Sequence, residues 1–101
     1  MKTERKIELL KAVKKIVTEE PEFTCITINR LDWKFKLATE YEVDILLDWF
    51  LEQKPTPTKH PIFFKHHSFL DHHEWWDDIN DVSNTQRIKF LSVLIKELEE
   101  L

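Results

Sequence analysis

Glycine is missing altogether from these 101 residues, where about seven would be ordinary. Glycine supplies positive φ and lets backbone approach a ligand closely. Without it there is no phosphate-cradling Walker loop, no dinucleotide fingerprint and no nucleophile elbow. Type I′ hairpin turns must rely on Asn or Asp. The blank therefore argues against nucleotide-loop enzymes and for helices joined by Asn, Asp, Ser and Pro. Cysteine is nearly missing too. Cys25 stands alone and cannot close an internal disulfide, which fits a reducing, cytoplasmic compartment. No apolar run approaches the ~20 residues that span a bilayer. Residues 1 to 6 lead straight into an amphipathic pattern, so neither a membrane span nor a signal peptide is expected.

What is present is the composition of a globular chain, 42% hydrophobic and 34% charged, with room for a single helical domain over residues 1–101. The net charge of −4 is mild but unevenly spread. Residues 40–53 carry Glu40, Glu42, Asp44, Asp48 and Glu52, and residues 71–81 carry Asp71, Glu74, Asp77, Asp78 and Asp81. Neither stretch holds a Lys or Arg. Such surfaces repel phosphates, so duplex nucleic acid is not an expected partner.

Hydrophobic spacing predicts a first helix over residues 3–20, burying Ile7, Leu10, Val13 and Val17 with Leu9 and Ile16 widening the face, and ending at Pro21. Thr39 followed three residues later by Glu42 is a capping box. It opens a second helix over 40–53 with Val43, Leu46, Leu47 and Phe50 inward. Ser83 and Gln86 form another such box before a last helix from 84 to the C-terminus, burying Ile88, Leu91, Leu94, Ile95 and Leu98. Ser68 is placed to cap a short helix through Trp76. Pro55, Pro57 and Pro61 mark a stiff extended loop. Residues 23–28 and 33–37 alternate and are rich in β-branched and aromatic types. They read either as a short buried helix or as a small hairpin over 23–37. The expected fold is mostly α: a compact bundle of three main helices with short additional elements.

The chemically distinctive segment is 59–76. It holds all five histidines, with Phe63, Phe64, Phe69, Trp75 and Trp76. Imidazoles and nearby carboxylates are competent metal ligands, but no His pair falls at i and i+4 in the expected helix, and neither an HExxH motif nor a Cys pair is present. A His-based metal-binding protein is therefore an alternative, and no metal site or cofactor is assigned. As a recognition surface, the segment offers Phe63, Phe64, Trp75 and Trp76 for apolar anchoring, His60, His66, His67, His72 and His73 for polar contact, and Lys59, Lys65 and Arg87 for charge. The plainer reading has most of these rings completing the core. Cys25 and Ser68 are the only nucleophiles near notice, without a recognisable oxyanion loop, and no catalytic residue is assigned.

An N-terminal amphipathic helix, then Phe23, Cys25 and Ile26, a helix ending in Asp48, Trp49 and Phe50, the Trp75 and Trp76 pair, and a last helix opening with Arg87, Phe90 and Leu91 together resemble small uncharacterised helical proteins of phages and mobile elements. The resemblance implies a setting in which such proteins bind and block host machinery. The expected function is a non-enzymatic binding module whose partner is a host protein or a small signalling ligand. An acidic inhibitor that imitates nucleic acid and fills a basic groove is the alternative of another class. The oligomeric state is not legible.

Overall fold

The first helix, α1, spans Thr3–Glu19 and is held at its end by Glu20 N–H donating to the Ile16 carbonyl at 2.8 Å. Its buried residues, Leu9, Leu10, Val13 and Val17, recur at helical spacing on one face. Ile7 and Ile16 lie half-buried at the margins. In this computed structural model the described residues are 1–20, 25–53, 58 and 84–101. The expected short helix of 68–76, the proline loop apart from Thr58 and the Ser83 cap lie outside them.

The hairpin alternative is corrected. Cys25–Arg30 is a 3₁₀ helix, and no strand occurs among the described residues. The N–H groups that a hairpin would spend across strands are spent locally. Lys34 and Phe35 donate to the Arg30 carbonyl at 3.0 Å, and Leu37 and Ala38 donate to the Leu31 carbonyl at 2.7 and 3.2 Å. Tertiary burial explains the choice. Ile28 and Leu31, three apart, are both buried, and a three-residue turn stacks such positions on one side. Lys36, with φ of 55°, takes the left-handed position that a glycine would ordinarily fill.

The second helix, α2, spans Glu40–Glu52 and begins with both halves of the capping box. The Glu42 N–H donates to the Thr39 hydroxyl at 3.1 Å, and the Thr39 N–H donates to the Glu42 carboxylate at 3.0 Å. Val43, Leu46 and Phe50 are buried, with Leu47, Trp49 and Leu51 beside them. The third, α3, spans Asn84–Glu99 and buries Phe90, Leu91, Leu94, Ile95 and Leu98, while Ile88 is only half-buried.

The protein is mostly helical, and these elements share one apolar core. α1 packs most closely on α3, while the 3₁₀ helix lies against α2 and α1. Phe50 of α2 meets Phe90 of α3 edge to face, with centroids 6.0 Å apart and planes at 81°. The Cα radius of gyration, 12.8 Å, is that of a compact chain of this length, about 13 Å. Among the described residues no helix is long and apolar enough to cross a membrane.

Candidate functional site

Eleven of the residues singled out in the sequence, Lys59, His60, Phe63, Phe64, Lys65, His66, His67, His72, His73, Trp75 and Trp76, lie outside the described residues. Arg87 is described, and it sits inside the bundle with 1% of its surface exposed. It precedes Leu91, Leu94 and Leu98 by four, seven and eleven positions and so falls on the inward face of α3. One partner is Asn84, whose side-chain oxygen accepts from Nη1 at 2.9 Å. The guanidinium is thus a buried polar group with hydrogen bonding, not a charge displayed at the surface.

What the described surface does display is concentrated on α2 and on the loop leading into it. Glu40, Asp44, Asp48 and Glu52 are all exposed and follow one another at i and i+4. They form a carboxylate ridge along the helix, spanning about 18 Å at the usual helical rise. No Lys or Arg occurs within 40–53, and among the described residues no cation pairs with any of the four. Tyr41 borders the ridge, three positions before Asp44, and is 74% exposed. The preceding loop exposes Trp33 and Leu37, and Lys34 and Lys36 are exposed beside them.

One carboxylate of α2 has a different environment. Glu42 accepts from Arg5 Nε at 2.7 Å and from Arg5 Nη2 at 3.1 Å, a forked pair joining α1 to α2. Arg5 also donates to Glu8 and, through Nη2, to the Leu37 carbonyl at 2.9 Å. The hydrogen bond from Arg5 and the second from the Thr39 backbone hold the Glu42 carboxyl down at about 2, against an ordinary 4.5. The Arg5 guanidinium is raised in turn by its bond to Glu42. Beside this pair lies an open groove of about 360 Å³, lined by Met1, Lys2, Arg5, Tyr41, Glu42 and Ile45. Farther along α2, Lys6 places its ammonium 4.5 Å from the centre of the Trp49 ring, which accounts for that ring's place at the core margin.

The capping role of Glu42 was readable from its spacing to Thr39, but its tie to Arg5 was not, because 37 residues separate the two. The exposure of Tyr41 did have a signal: its phase on the helix places it beside Asp44 and away from Val43 and Leu46. No family model, no curated protein and no solved structure matches the chain.

Proposed function

We propose that the protein is a non-enzymatic binding module that docks the carboxylate ridge of α2 against a basic groove on a partner protein, in a phage or mobile-element setting. The observation that supports this reading is the alignment of four exposed carboxylates in one helix that carries no cation. Successive members stand about 6 Å apart along the axis. That is roughly half the linear charge density of one nucleic-acid strand, with its charge every ~3.4 Å. The ridge therefore imitates a phosphate backbone in sign and direction, at reduced strength. Binding through it is steered by charge and weakens as salt screens the interaction. The aromatic and histidine segment 59–76 is the other surface that the residue types favour, as an anchor for a host protein or a small ligand.

Parallel capture from the natural host at low salt separates the two. The baits are the wild-type protein, a ridge-neutralised variant (E40Q, D44N, D48N and E52Q together) and a W75A/W76A variant. Under the ridge reading one host protein elutes from the wild type as salt rises, is absent from the neutralised bait and persists on the tryptophan variant. Retention by the neutralised bait, with loss from the tryptophan variant, would transfer the function to segment 59–76.

A further inference from the structure

We draw no further inference here: the strongest candidate, the exposed surface patch of Trp33, Lys34, Lys36 and Leu37 on the loop leading into α2, carries nothing, because nothing in the structure shows what covers it.

Discussion

Arg5 and Glu42 illustrate what a single side chain contributes when its bonds run to different elements. Glu42 caps its own helix, accepts a forked guanidinium from α1 and remains 23% exposed at its side chain. Its carboxyl titrates at about 2 in the fold and near 4.5 when released. The folded value is the lower one, so this stabilisation is complete above pH 4.5 and disappears as pH falls through about 2. Solvent screening at a partly exposed site reduces its worth to about 1–2 kcal/mol. Denaturant unfolding of wild type and E42Q across this acid range should show that gap at neutral pH, closing towards pH 2. A gap that does not change with pH would mean that charge plays no part in it. Arg87 gives the opposite lesson at the same scale. Its residue type indicated the surface, while its register with Leu91, Leu94 and Leu98 indicated the core, and the register was decisive. Burial follows the phase of a helix, and a hydrogen-bonded guanidinium can occupy an inward position.

The elements themselves were legible to within a residue or so where local signals agreed. α1 stops beside Pro21, and α2 begins at its capping box. Cys25–Arg30 was not legible, because β-branched residues and alternation fit a strand while burial of Ile28 and Leu31 together required a tighter turn. Propensity is local and burial is tertiary, and here burial won. The ridge of α2 raises a different issue, since like charges at i and i+4 destabilise a helix by about 0.2–0.5 kcal/mol per pair. Asp48 faces Asp44 on one side and Glu52 on the other, and the Asp48→Lys substitution converts both repulsions into attractions. Thermal and denaturant unfolding of D48K should show a gain of about 0.5–1 kcal/mol, while binding through the ridge falls. A stabilised variant with unchanged binding would remove Asp48 from the functional surface. A destabilised one would show that its carboxylate has a structural role.

At the scale of the molecule, long side chains of α1 and α3 reach α2 at both of its ends. Arg5 grips it near its start, while Lys6 over Trp49 and the ring of Phe90 against Phe50 grip it near its end. Periodicity named Phe50 as an inward residue but could not say what it faces. Phe90 went unnoticed as core because Leu91, Leu94, Ile95 and Leu98 already supplied a plausible stripe. The edge-to-face contact between Phe50 and Phe90, both almost wholly buried, is an internal link from α2 to α3. A double-mutant cycle with F50L and F90L measures it while keeping the core apolar. Each single variant should lose about 1–2 kcal/mol, and the double variant should lose less than their sum by about 0.5–1.5 kcal/mol. Amide exchange supplies a spatial check. Because the lost contact lies at the end of α2, F50L should lower protection in α2 more than in the closely packed α1 and α3. Strict additivity would mean that the two rings occupy the core independently. Equal loss of protection in all three helices would mean that α2 opens only when the whole bundle does, so that the helix presenting the ridge is as rigid as the core beneath it.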